Sequence, residues 1–146
     1  MSLPAILLAA GASRRLGCPK QLLPWHGEPL LRRTARVALQ CCDPVIVVLG
    51  FQAEALEAAL EGLAVHRLHN LEWQEGMASS IRAGVAALPP EAAAALLLVC
   101  DQPAVDEALL HAMLRAHRER PEAVVACTYG GGRGVPALFP RRRFGE

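Results

Sequence analysis

Lysine is nearly absent from this chain: Lys20 stands alone against fourteen arginines. Aspartate is almost as scarce, with Asp43, Asp101 and Asp106 only. Acidic and basic side chains balance to a net charge of +1. That excludes the strong overall field that draws a protein to nucleic acid or to a membrane surface. No apolar run reaches the roughly 18 residues a membrane span needs. The N-terminus has no basic segment followed by an apolar stretch and a cleavage site, so the expected location is the cytoplasm. The five cysteines (Cys18, Cys41, Cys42, Cys100, Cys127) include no C-x-x-C pair. An odd count without that spacing suits free thiols in a reducing compartment. The adjacent Cys41 and Cys42, at an expected helix end, leave a redox role and plain packing both open. His66 and His69, three apart on an expected strand, would point to opposite faces, which argues against a structural zinc site. The short basic run Arg141–Arg143 reads as solvated surface.

What the chain does have is an alternation of apolar runs and helical patterns. Its 146 residues suit one domain with a single packed core. Pro4–Ala9 reads as a first strand, and VIVVLG at Val45–Gly50 as a buried second strand. Ala64–Leu68, ALLLVC at Ala95–Cys100, Val124–Thr128 and Pro136–Phe139 follow as further strands. Helices are expected over Pro29–Gln40, Ala53–Leu60, Ser79–Leu88 and, capped by Asp106, through His117. Strands apolar on both faces, alternating with helices, predict an α/β fold, a three-layer Rossmann-like sandwich around a mostly parallel central sheet. In such folds ligands sit beyond the carboxyl ends of the strands.

Three stretches carry candidate chemistry. Behind the first strand, Ala9, Ala10, Gly11, Ala12 and Ser13 let backbone N–H groups approach an anion closely, while Arg14, Arg15 and Lys20 add positive charge. The stretch matches neither a P-loop nor a G-x-G-x-x-G fingerprint. An ordinary βα turn with solvated arginines is the alternative. Lys20 favours phosphate, since an ammonium is a compact charge with three rotatable donors that an arginine fork does not replace. Asp101, following ALLLVC, is expected at the carboxyl edge of a central strand. A carboxylate there can hold Mg²⁺, which takes one or two carboxylates plus substrate phosphates; a turn-forming aspartate before Gln-Pro is the other reading. In Asn70–Arg82, Gly76, Ser79 and Ser80 put small residues and hydroxyls at a helix start, as an anion site or simply as caps. Trp73 fits either the core or a pocket wall.

Together these residues resemble the molybdenum cofactor cytidylyltransferases, within the molybdopterin nucleotidylyltransferase group. The resemblance rests on LAAGASRRLGCPKQLLPW at Leu8–Trp25, NLEWQEGMASSIRAG at Asn70–Gly84, CDQP at Cys100–Pro103 and GVPALF at Gly134–Phe139. It implies a Rossmann-like fold that binds a nucleoside triphosphate with Mg²⁺. Ala9, Ala10 and Gly11 would contact the nucleotide through their backbone, and Asn70 and Ser80 would add contacts from the second segment. Arg15 and Lys20 would face the phosphates, and Asp101 would ligate the metal. Ala10 resembles the cytidylyl branch, because guanylyl members tend to carry a second glycine there. The implied reaction transfers CMP from CTP to the terminal phosphate of molybdopterin cofactor and releases pyrophosphate, with a molybdoenzyme as a possible recipient of the product. Guanylyl transfer to a related phosphate acceptor, and a non-catalytic module that binds and delivers the pterin cofactor, are the rival readings. Leu16 and Ile81 replace the family's usual methionine and leucine. Family members usually continue past a segment like RRRFGE into a late aspartate-containing motif. Residues 1–146 are therefore expected to form one nucleotidyltransferase-like domain without the family's C-terminal segment.

Overall fold

The apolar runs AILLA, VIVVL and AALLLV become three neighbouring strands whose residues are buried on both faces, Val99 alone being half-buried. The structure, a computed structural model, describes residues 3–9, 24–25, 27–50, 53–99, 105–129 and 132–144. In chain order it forms β1 (Ala5–Ala9), β2 (Pro24–Trp25), β3 (Glu28–Pro29), α1 (Leu30–Cys41), β4 (Val45–Leu49), α2 (Ala53–Ala59), β5 (His66–His69), α3 (Met77–Ala86), β6 (Ala94–Val99), α4 (Glu107–Glu119), β7 (Val125–Tyr129) and β8 (Gly132–Pro140). The main sheet has the order β5-β4-β1-β6-β8-β7. β5, β4, β1 and β6 run parallel, and β8 is antiparallel to both neighbours. The expected α/β sandwich with a mostly parallel sheet is the fold observed.

Period-two alternation divides the strand side chains between two apolar layers. Ala5, Leu7, Ala9, Val45, Val47, Leu49, Leu96 and Leu98 join Leu31, Ala35 and Ala38 of α1, Leu56 of α2 and Leu110, Met113 and Leu114 of α4. Ile6, Leu8, Ile46, Val48 and Leu97 face the other way, against Ile81 and Val85 of α3. On that second face α3 approaches β1 so closely that a Cβ built on Gly84 would lie 2.6 Å from Ile6 Cγ2.

Where the elements differ from expectation, polarity is the reason. β5 is shifted to His66–His69 because it is an edge strand, mostly exposed, and has no buried periodicity to read. His and Arg side chains on such an edge discourage pairing with another chain. His66 and His69 are both exposed, and His69 Nε2 lies 2.7 Å from Glu57 Oε1. Among the described residues no group of three or more His, Cys, Asp or Glu could hold a metal ion. The hairpin β2–β3 joins two-residue strands, too short for any pattern. β8 begins at Gly132, earlier than Pro136, with a register shift opposite Ala126 and Cys127. α3 starts at Met77, two residues before the expected Ser79.

Arginine closes the end of α2. Arg32 Nη1 donates to Ala59 O (3.2 Å) and Glu61 O (2.7 Å), satisfying carbonyls at the end of α2 that the helix itself cannot pair. Asp106 caps α4 as expected, its Oδ1 accepting from Leu109 N at 2.9 Å. Arg141–Arg143 is exposed, as read, although Arg141 Nη1 also donates to Ala92 O at 2.7 Å. No helix among the described residues is long and apolar enough to cross a membrane.

Cys42 closes α1 inside the first layer, and burial pushes its thiol up to about 12 from 9.0. Burial and the nearby Glu107 carboxylate raise Cys41 as well. Neither thiol is the low-pKa thiolate that redox chemistry uses, and the structure supports packing.

Two measurements check this architecture. Gly84→Ala should lower stability by about 1–3 kcal/mol through overpacking against Ile6, despite alanine's better helix propensity. In an Ile6→Ala background the same change should cost nothing or stabilise, read by denaturant unfolding. Cys42 ionises near 9.0 when unfolded but only near 12 when folded. Its contribution to stability is therefore complete below pH 9.0 and lost as pH rises toward 12. Thermal melts across that window should fall more steeply for the native protein than for Cys42→Ala.

Candidate functional site

β1, β4, β5 and β6 all point their carboxyl ends toward one edge of the sheet. Ala9 stands beside Leu49, and Leu8 beside Val99, so the chain leaves β1, β4 and β6 from adjacent positions. Ala9, the first of the proposed nucleotide contacts, is buried at the end of β1. Ala10, Gly11, Arg15, Lys20 and Asp101 lie outside the described residues.

Asn70 and Ser80 are described, and they bond to one another. Asn70 follows β5, and its backbone N–H donates to Leu49 O at 2.7 Å. The residue is 7% exposed. Nδ2 donates to Ser79 Oγ at 2.9 Å and to Ser80 Oγ at 3.0 Å, while Oδ1 accepts from Glu72 N at 3.0 Å. A backbone N–H can only donate, so the Glu72 contact fixes which end of the amide is oxygen. Ser79 Oγ reaches Glu72 O at 3.0 Å and Gly76 O at 2.9 Å. Its one hydrogen is therefore used within the loop. The sequence suggested caps or ligand contacts for these serines; neither caps α3.

The residue at that cap is Gly76, with φ 109° and ψ −179° and no side-chain bond to the helix. Backbone with φ in this range is open to glycine and strained for other residues. It lets the chain turn from a short 3₁₀ turn at Trp73–Glu75 directly into α3. The first turn of α3 carries no acidic residue, so its partial positive charge is not neutralised from within that turn. Trp73 is half-buried and packs against the second apolar layer.

Two further features of this segment escaped sequence reading. The side chain of Glu72, through hydrogen-bonding and charge interactions, holds the Glu75 carboxyl above the usual carboxylate range, partly opposed by Arg82. Leu71 and Met77 project into solvent, 92% and 61% exposed. The separation of Glu72 and Glu75 by three residues, on a tight turn, is the signal that could have revealed their pairing.

The family described as MobA-like NTP transferase domain matches residues 5–146. A molybdenum cofactor cytidylyltransferase of Escherichia coli (strain K12) is 31% identical over 91 residues, covering 62% of this chain and 47% of the relative. A nicotine blue oxidoreductase of Paenarthrobacter nicotinovorans is 40% identical over 116 residues, covering 77% of this chain and 56% of the relative. A molybdenum cofactor guanylyltransferase of Pseudomonas entomophila (strain L48) is 26% identical over 138 residues, covering 94% and 70%. Among solved structures, Rv0371c from Mycobacterium tuberculosis H37Rv superposes with a TM-score of 0.86 at 35% identity, over 99% of this chain and 74% of that one. That protein has also been solved as a complex with manganese. The chain spans about half the length of the first two curated relatives.

The Asn70 cluster should behave as a structural clasp. Asn70→Ala removes three hydrogen bonds and leaves buried partners unpaired, so the expected loss is about 2–4 kcal/mol. Denaturant unfolding measures it, and faster hydrogen exchange at the Glu72 amide would localise it.

Proposed function

The chain belongs to the MobA-like NTP transferase domain family, and we propose that it transfers CMP from CTP to the terminal phosphate of molybdopterin cofactor. An oxygen of the acceptor phosphate attacks the α-phosphorus of CTP, the bond from that phosphorus to the bridging oxygen of the β-phosphate breaks, and pyrophosphate leaves. The family match over residues 5–146 is the observation that carries this reading. The small residues and lone lysine of Ala9–Lys20 support it from the sequence.

In this reading residues 1–146 act as one nucleotidyltransferase-like domain in the cytoplasm. The backbone of Ala9, Ala10 and Gly11 lies along the nucleotide, with Asn70 and Ser80 on the other side of the site. Arg15 and Lys20 neutralise charge on the triphosphate and on the departing pyrophosphate. Asp101 is the proposed ligand for Mg²⁺, a hard cation suited to carboxylate and phosphate oxygens. Bound there, the ion would supply charge neutralisation between phosphate oxygens. The acceptor phosphate is already ionised at neutral pH, so the chain needs no general base; its work is positioning and electrostatics. A molybdoenzyme would receive the product. The guanylyl relative from Pseudomonas entomophila supports a second reading, GMP transfer from GTP to the same class of acceptor.

Pyrophosphate release, measured with each of the four nucleoside triphosphates and molybdopterin cofactor, tests the proposal. CTP should give the fastest release, and faster release with GTP would favour the second reading. Lys20→Ala should weaken CTP binding by about 10-fold or more with an unchanged melting temperature. Asp101→Asn should abolish Mg²⁺-dependent turnover while some nucleotide binding remains. Nucleotide binding without pyrophosphate release would indicate the delivery module.

A further inference from the structure

We propose that Asn70 is a positioning residue: it turns the Ser80 hydroxyl into a hydrogen-bond donor aimed at an acceptor atom on the base of the bound nucleotide. The inference rests on the nucleotide-binding reading above and assigns Asn70 a role other than direct contact.

The argument is a count of donors and acceptors. Asn70 Nδ2 has two hydrogens, and both are used, on Ser79 Oγ and Ser80 Oγ. Oδ1 is held by the Glu72 N–H, so the amide cannot turn over. An amide nitrogen donates and does not accept. Ser79 and Ser80 therefore both receive a hydrogen bond from Asn70 and must direct their own hydrogens elsewhere. Ser79 has carbonyls to donate to, at Glu72 and Gly76. Among the described residues Ser80 Oγ has Asn70 as its partner and no such carbonyl. Ser80 is 4% exposed, so its hydrogen is a buried donor without an acceptor in that set. An unsatisfied buried donor costs about 1–3 kcal/mol, and a ligand acceptor in reach removes that cost.

Packing places this donor at the right edge. α3 descends from the carboxyl edge of the sheet, and Gly84 is pressed on Ile6 of β1. Ser80 lies one helical turn nearer the edge, a rise of about 6 Å. Two residues along β1 cover a similar distance, so Ser80 comes level with Leu8, beside the end of β1. The loop proposed to hold the nucleotide starts there.

Asn70→Asp is nearly isosteric and reverses the polarity. A carboxylate accepts from both serine hydroxyls, so the Ser80 hydrogen is turned inward and lone pairs face the ligand. The experiment measures binding of the four nucleoside triphosphates and of inorganic triphosphate to the full chain by titration calorimetry. The native protein is compared with Asn70→Asp, Ser80→Ala and Ser79→Ala. Asn70→Asp and Ser80→Ala should each weaken the preferred nucleotide about 10-fold relative to inorganic triphosphate, the loss of one buried hydrogen bond. Ser79→Ala should leave that ratio within about twofold, since its hydrogen is used inside the chain. An unchanged ratio in Asn70→Asp and Ser80→Ala, or an equal ratio change in Ser79→Ala, overturns the inference. Should Asn70→Asp fail to fold, the contrast between Ser80→Ala and Ser79→Ala decides alone. A native protein that binds none of the four nucleotides overturns the nucleotide reading itself.

Discussion

Strands β1, β4 and β6 are covered by side chains on both faces, and this constrains everything else in the molecule. The residues of two apolar layers, one against α1, α2 and α4 and one against α3, occupy the body of these three strands. A polar group placed there would lose its water without gaining a partner, at a cost of several kcal/mol. Polar chemistry is left with the strand ends. At the carboxyl edge, Ala9 is in register with Leu49 and Leu8 with Val99, and the chain leaves the sheet there toward the residues singled out for phosphate and metal.

That edge is finished on one side by a single amide. Asn70 ties the exit from β5 to the entry of α3 with three side-chain hydrogen bonds. A helix entered through glycine, with no side-chain cap, has unpaired N–H groups and a free choice of entry angle. The clasp removes that freedom by holding Ser79 and Ser80, the third and fourth residues of α3, against the loop. The same bonds decide which way each serine hydroxyl donates. On the inference proposed above, stability and ligand preference would rest on one set of contacts at this position, which is why a near-isosteric exchange there separates the two.

Much of the fold was legible because burial on two faces writes a continuous apolar run, and β1, β4 and β6 are such runs. Asp106 was legible because its role is local, a carboxylate three residues before the N–H it accepts. Gly84 was not, since its reason lies in Ile6, far away in sequence. β5 was misplaced by about two residues because an exposed edge strand has no buried side to alternate with. Within the candidate site, Asn70 and Ser80 were found as positions, but their bond to each other was not. Nine and ten residues separate Asn70 from its serine partners, a spacing that belongs to no helix or strand period. The arginine that closes α2 was missed for the same reason, since Arg32 lies 27 and 29 residues from the carbonyls it meets.

The central claim is that ligand binds along this one edge, between the end of β1 and the first turn of α3. Amide hydrogen exchange with and without a saturating nucleoside triphosphate tests it most directly. The account predicts slower exchange confined to residues 9–20, 70–80 and 100–103, with α4 and the β7–β8 pair unchanged. Protection centred on α4 or β7–β8, or no change near Ser79 and Ser80 when nucleotide is bound, would contradict it.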